Sequence, residues 1–163
     1  MIEVRPAIAS DLPAMLDIYN DVILHTTAVY DYEPHTLEMR EAWFKSRKEQ
    51  GLPVFVATEG SALLGMSSFG PFRQWAAYQH TVENSVYVAA TARGKGVGKL
   101  LVLPLIDAAK AMGKHTMVAG IDATNQASIA LHRSLGFEEV AHFKQVGWKF
   151  ERWLDLKFFQ RML

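Results

Sequence analysis

The stretch Glu83-Asn84-Ser85-Val86-Tyr87-Val88-Ala89-Ala90-Thr91-Ala92-Arg93-Gly94-Lys95-Gly96-Val97-Gly98-Lys99 decides how this chain is read. Val82 to Val88 has the composition of a strand. Ala90 to Gly96 is a tight loop. Val97, Leu100, Leu101, Leu105, Ala108 and Ala109 then recur at helical spacing up to Met112, with Pro104 inside the run. Glycines let a backbone approach a ligand closely and take positive φ. A helix start presents unpaired N–H groups and a partial positive charge. Together they form an anion site suited to phosphate, and Arg93, Lys95 and Lys99 add formal charge. A Walker loop would need Gly at position 93 and Ser or Thr at position 100, where Arg93 and Leu100 stand. A dinucleotide fingerprint would need a third Gly at position 99 or 101, where Lys99 and Leu101 stand. What remains is Arg-x-x-Gly-x-Gly, on Arg93, Gly96 and Gly98.

Working outward, Ile2–Arg5 reads as a short strand. Ser10-Asp11 starts a helix that tolerates Pro13 in its first turn and carries Leu12, Met15, Leu16, Tyr19, Val22 and Ile23 at helical spacing. Thr26-Thr27 and the segment Tyr30 to Pro34 form a loop with exposed aromatics. Thr36 caps a second helix that runs to about Gln50 and closes at Gly51. Val54–Thr58 and Leu63–Phe69 are hairpin partners about Glu59-Gly60. Gly70 to His80 is aromatic and irregular. Thr116–Ile121 is a strand, Asn125–Leu135 a short helix ended by Gly136, and Glu138–Val146 and Arg152–Phe159 are the last strands. Interleaved helices and strands with hairpins predict an α/β (α+β) domain with a mixed sheet, spanning residues 1–163 as one unit.

The 163 residues are 50% hydrophobic, enough for a sizeable core. Lys plus Arg equals Asp plus Glu at 17 each, which argues against a nucleic-acid binder and, weakly, against polycationic substrates. Without cysteine there is no disulfide, thiol nucleophile or cysteine-ligated metal. The six histidines lack metal-ligand spacing, so no metal is expected. No run is long enough to span a membrane as a helix, and Met1–Pro6 lacks a charged head followed by an apolar run. The expectation is a cytoplasmic protein that engages neither membrane nor nucleic acid.

A second motif lies downstream, Asn125-Gln126-Ala127-Ser128-Ile129-Ala130-Leu131-His132-Arg133-Ser134-Leu135-Gly136-Phe137. It resembles the Asn-x-x-(Ala/Ser)-x-x-Leu-Tyr-x-x-x-Gly-Phe segment of the GNAT superfamily of acetyl-CoA-dependent N-acetyltransferases, whose pyrophosphate loop is Arg-x-x-Gly-x-Gly. Gly70-Pro71-Phe72-Arg73, Tyr78, Thr81 to Val88, Leu131-His132 and Trp153-Leu154-Asp155 are similar to the branch acting on phosphinothricin, methionine sulfoximine and methionine sulfone. The resemblance runs from Ile2 to Phe159. It implies a mixed, mostly antiparallel seven-stranded sheet flanked by helices and splayed between two parallel central strands, and a homodimer. It also implies roles. Val86, Tyr87 and Val88 contact the acetyl and pantetheine parts of acetyl-CoA. Arg93 belongs to the pyrophosphate loop, and Gly94, Lys95, Gly96, Val97, Gly98 and Lys99 wrap the pyrophosphate. Asn125 touches the pantetheine arm. Arg73, Gln74 and Trp75, with Glu83, Asn84 and Ser85, line the acceptor side. His132 stands where many members have Tyr, as it does in the phosphinothricin branch.

Acetyl transfer to an amine needs a base, because only the neutral amine attacks. Glu83 is the candidate, directly or through water; the alternative is an exposed carboxylate or a partner for Arg73. The Val88 amide is the candidate oxyanion donor if the strand bulges there. His132 is a candidate acid for the departing thiolate, or else a packed or capping group. Arg73 is the candidate clamp for a carboxylate or oxyanionic side group, or else a solvated charge. Asn125 can cap its helix and contact the cofactor at once. The expected reaction is acetylation of the α-amino group of a small amino-acid analogue, a detoxification. Peptide or protein N-termini and other small amines are the alternative acceptors, and an acetyl-CoA-sensing module without turnover is the non-enzymatic alternative.

Overall fold

The computed structural model describes residues 1–163. In chain order its elements are β1 (Glu3–Pro6), α1 (Leu12–His25), α2 (Leu37–Glu49), β2 (Val54–Glu59), β3 (Ala62–Pro71), β4 (Thr81–Val88), α3 (Val97–Ala111), β5 (Thr116–Asp122), α4 (Gln126–Ser134), β6 (Glu138–Lys149) and β7 (Arg152–Met162). Single 3-10 turns lie at Ala9–Asp11, Ala76–Tyr78 and Ala90–Ala92. Asp11 does more than open α1. Its carboxylate takes the Ile8 N–H at 2.8 Å and both Arg5 terminal nitrogens at 2.8 and 2.9 Å, tying the helix start to β1. Thr36 Oγ1 accepts from the Met39 N–H at the start of α2.

The seven strands are ordered β1-β2-β3-β4-β5-β7-β6, and every pairing is antiparallel except β4 with β5. α1 packs Leu12, Met15 and Ile18 on Val54, Val56 and Met66 of one sheet face. On the opposite face α3 buries Val102, Leu105, Ile106 and Ala109 against Phe69, Val82, Met117 and Phe159. Each such large apolar side chain contributes about 1.5–3 kcal/mol on burial. These clusters hold the two central strands in a shared frame.

Where β4 and β5 separate matters most. Their register covers only Thr81↔Thr116, Val82↔Met117 and Glu83↔Val118, and then the strands diverge. β4 continues to Val88 with one edge open, as the expected splay requires. The β3–β4 register runs unbroken from Gly65↔Val88 to Pro71↔Val82, so the condition set on the Val88 amide, a bulge there, is not met. The last hairpin is longer than the spacing predicts. β6 passes through a register shift between Phe143 and Gly147, where Gln145 has positive φ and donates its N–H to Asp155 Oδ1 at 2.9 Å. This bulge breaks the alternation that marks a strand in sequence, so its continuation to Lys149 was not legible.

Candidate active site

The open edge of β4 forms one wall of a cleft of about 650 Å³. Ala89 donates its N–H to Leu64 O on β3 at 2.8 Å. Backbone groups alternate direction along a strand, so Val88 and Val86 aim their N–H groups the other way, into the cleft. A bulge is therefore unnecessary: divergence from β5 already frees these donors.

Arg93, Gly94, Gly96, Val97, Gly98 and Lys99 line the cleft beyond Val88. Gly94 and Gly96 both have φ of +78°, with nothing within 4 Å of where a Cβ would stand. They are glycine for conformation, and the space before them is open to a phosphate. Gly98 is glycine for approach, since a Cβ there would lie 2.9 Å from Leu131 Cδ2 on α4. The facing wall is Thr124, Asn125, Ala127, Ser128 and Leu131. Asn125 Oδ1 accepts from Ser128 N–H at 3.2 Å, so it caps α4 while lining the cleft.

Glu83, Ser85 and Tyr87 alternate on the sheet face turned toward α1 and α2. The Glu83 carboxyl is half-buried and makes no hydrogen bond or ion pair. Burial raises its pKa, and the Arg73 charge opposes the rise. Arg73, Gln74 and Trp75 are exposed. The Arg73 guanidinium lies 5.2 Å over the Phe72 ring, with no carboxylate within 4 Å. Burial pushes the Tyr87 phenol up to about 12, so it stays protonated at neutral pH.

Asn84 points the opposite way. Its side chain is buried on the other sheet face, with Nδ2 lying 3.3 Å from Nε2 of His132 on α4 and 3.6 Å from the Met117 sulfur on β5. His132 is 1% exposed and donates from Nδ1 to the Ser128 carbonyl at 2.8 Å. Burial lowers its pKa, which keeps the ring neutral.

A sequence profile described as the acetyltransferase (GNAT) family matches residues 14–137. The chain belongs to the GNAT family. Over 158 residues it is 48% identical to the L-methionine sulfoximine/L-methionine sulfone acetyltransferase of Pseudomonas aeruginosa, covering 96% of this chain and 92% of the relative. An acetyltransferase from Salmonella typhimurium, solved with its cofactor acetyl-CoA, superposes with a TM-score of 0.98 at 45% identity, covering 99% of this chain and 94% of that one. A structure named ribosomal-protein-alanine N-acetyltransferase, from Brucella melitensis, has a TM-score of 0.97 at 48% identity, covering 99% of each chain.

GNAT acetyltransferases use acetyl-CoA, and the cleft of this one has the shape and donors for it. Backbone amides lie along an open edge, two αL glycines face open space, and two cations stand at the rim. Of the expected cofactor residues, Val86, Tyr87, Val88, Arg93, Gly94, Gly96, Val97, Gly98, Lys99 and Asn125 line the cleft, whereas Lys95 is exposed outside it. His132 and the Asn84 side chain are not brought to the cleft wall.

Sequence reasoning missed a wall of this GNAT cleft. Val22, His25, Thr26, Thr27 and Ala28 from the end of α1, with Phe150 and Arg152 from the β6–β7 turn, also line it. Lys149 holds the two parts together, its buried Nζ donating to the Thr26 and Val29 carbonyls at 2.8 Å each. Phe150 and Glu151 have φ of 53° and 58°, the two-residue turn whose twist suits a hairpin, here without glycine. Because this pair is neither glycine nor asparagine, the sequence carries no local signal for the turn.

Proposed function

We propose that this acetyltransferase moves the acetyl group of acetyl-CoA to the α-amino group of a small amino acid, of the methionine sulfone, methionine sulfoximine or phosphinothricin type. The observation that carries this reading is the arrangement on β4. The amides of Val86 and Val88 lie on the edge that β5 leaves open, and an unpartnered, half-buried Glu83, the last β4 residue paired to β5, precedes them on the same strand.

Acetyl-CoA supplies an activated thioester. Gly94, Gly96 and Gly98, with Arg93 and Lys99, hold its diphosphate; Asn125 and the β4 backbone hold the arm. Glu83, directly or through one water, takes the proton from the acceptor ammonium; general-base help of this kind is worth roughly 10²–10⁴-fold. The Val88 N–H is placed for the negative charge that grows on the thioester oxygen. As the C–N bond forms and the C–S bond breaks, the amide nitrogen loses its second proton and the thiolate gains one. Arg73, Gln74, Trp75 and Ser85 surround the acceptor. Asn84 and His132 act beneath the site as a buried pair that ties α4 to β4, instead of donating a proton to the thiolate.

The chain works as one catalytic domain, in the cytoplasm, as a homodimer. Val140, Phe143, Val146, Trp148 and Trp153 are exposed along β6 and β7 and supply an apolar face for a second copy. Acetylation blocks the amino group of such amino-acid analogues, which makes the role a detoxification. Thiol release at fixed acetyl-CoA, measured with each analogue, an alanine-ended peptide, a polyamine and no acceptor, tests the reading. Turnover with the analogues supports it. Turnover confined to the peptide would favour the second reading, which the name of the Brucella relative suggests. Cofactor binding with no acceptor-dependent thiol would favour a sensor.

A further inference from the structure

A second, smaller cavity of about 220 Å³ lies beneath α2, lined by Tyr19, His35, Met39, Arg40, Trp43, Ser68, Ser85 and Tyr87. It shares Ser85 with the expected acceptor side and Tyr87 with the cofactor cleft. Its one cation is Arg40, which is 5% exposed. The guanidinium is held 4.2 Å from the Tyr19 ring centroid and 4.7 Å from that of Trp43. Aromatic faces fix its plane and partly offset its desolvation, and the Tyr19 side chain interacts with it, but none of these supplies an anion for its in-plane N–H donors. Arg40 Nε has no hydrogen-bond partner, and no carboxylate lies within 4 Å of the side chain. The two nearby acids do not supply the missing partner. Asp31 is engaged by His35 Nε2 at 3.1 Å, and Glu83 makes no ion pair. A buried guanidinium left this way is a counter-ion awaiting a planar anion, because an unpaired buried charge is costly and a carboxylate matches the fork.

We propose that Arg40 is the acceptor-specificity residue, its guanidinium receiving the α-carboxylate of the amino-acid acceptor in this pocket. This rests on the amino-acid reading above. Glu83 and Ser85 are two residues apart on one face, about 7 Å along the strand at 3.3–3.4 Å per residue. An amino acid lying across them puts its amino group toward Glu83 and its carboxylate toward Arg40, leaving its side group for the exposed Arg73 loop. The pocket therefore selects free amino acids over amines and amides.

Two acceptors, methionine sulfone and its carboxamide, test this by kcat/KM in the parent and in Arg40→Gln. The parent is expected to prefer the acid by on the order of 100-fold, since a buried polar site rejects a ligand lacking the matching group. Arg40→Gln is expected to raise KM for the acid by about the same factor, leave the amide unchanged and erase the preference, with acetyl-CoA affinity intact. Where Arg40→Gln does not fold, Arg40→Lys keeps the charge and stem without the fork, and its acid KM should rise about tenfold. A parent that takes acid and amide equally, or a folded variant that keeps the preference, overturns the assignment while leaving amino-acid acetylation standing. A parent that acetylates neither compound nor any amino acid overturns both.

Discussion

Asn84 Nδ2 lies 3.3 Å from Nε2 of His132 at the point where β4 and β5 part. The ring's other nitrogen gives its proton to the Ser128 carbonyl one helical turn back. Nε2 therefore accepts from the Asn84 amide, and the pair ties α4 to β4 one residue past the last β4–β5 pairing at Glu83. His132→Ala removes a buried ring and leaves the Asn84 amide unsatisfied. The expected cost is about 2–4 kcal/mol of stability, seen as a lower Tm. The pH profile of kcat should keep its shape; loss of a limb would identify His132 as a proton donor instead.

Glu83→Gln is expected to lower kcat by about 10²-fold or more with acetyl-CoA affinity nearly unchanged. Burial raises the Glu83 pKa and Arg73 lowers it, so activity falls as pH drops through a value above the ordinary carboxylate range. Removing the Arg73 charge lets the pKa rise further. Arg73→Gln should thus move the acidic limb of the kcat profile toward higher pH. A limb that stays in place, or moves down, rules out Glu83 as the titrating base.

Gly96→Val forces a β-branched residue to φ of +78° at the cofactor loop, a strain of roughly 1–3 kcal/mol. Calorimetry should show coenzyme A affinity weakened by about tenfold or more. Gly113, at φ of +73° beyond the far end of α3, provides the matched comparison. Gly113→Val should lower Tm but leave the Kd for coenzyme A alone. Equal affinity losses in both variants would mean that backbone strain acts globally and not at the phosphate loop.

Lys149→Met cuts both bonds from the β6–β7 hairpin to the loop after α1. Two part-buried carbonyls lose a charged donor, at up to about 1–3 kcal/mol each before water replaces it. The KM for acetyl-CoA should rise, because Thr26 to Ala28 and Phe150 form that wall of the cleft. Hydrogen exchange should accelerate at residues 26–29. An unchanged KM together with unchanged exchange would show that the wall stands without this tie.

Local chemistry in the sequence determined a large part of this protein. Strand composition, a glycine loop and a helical repeat follow one another between Val82 and Met112, and each obeys a rule that depends only on near neighbours. That is why Gly94 and Gly96 were legible as conformational glycines and Asn125 as a cap. Tertiary structure alone decided three further matters. It set the residue at which β4 leaves β5, which frees the Val86 and Val88 amides without a bulge. It turned Asn84 inward to His132, on the face opposite Glu83 and Ser85. It also buried Arg40, which stands between Met39 and Glu41 in a charged helix and reads locally as solvated helix surface. Periodicity tells which side of an element a residue occupies, but what it meets there depends on parts of the chain far away in sequence. Arg40 meets Tyr19, Ser85 and Tyr87 only because α1 and β4 are brought to it by packing on the sheet.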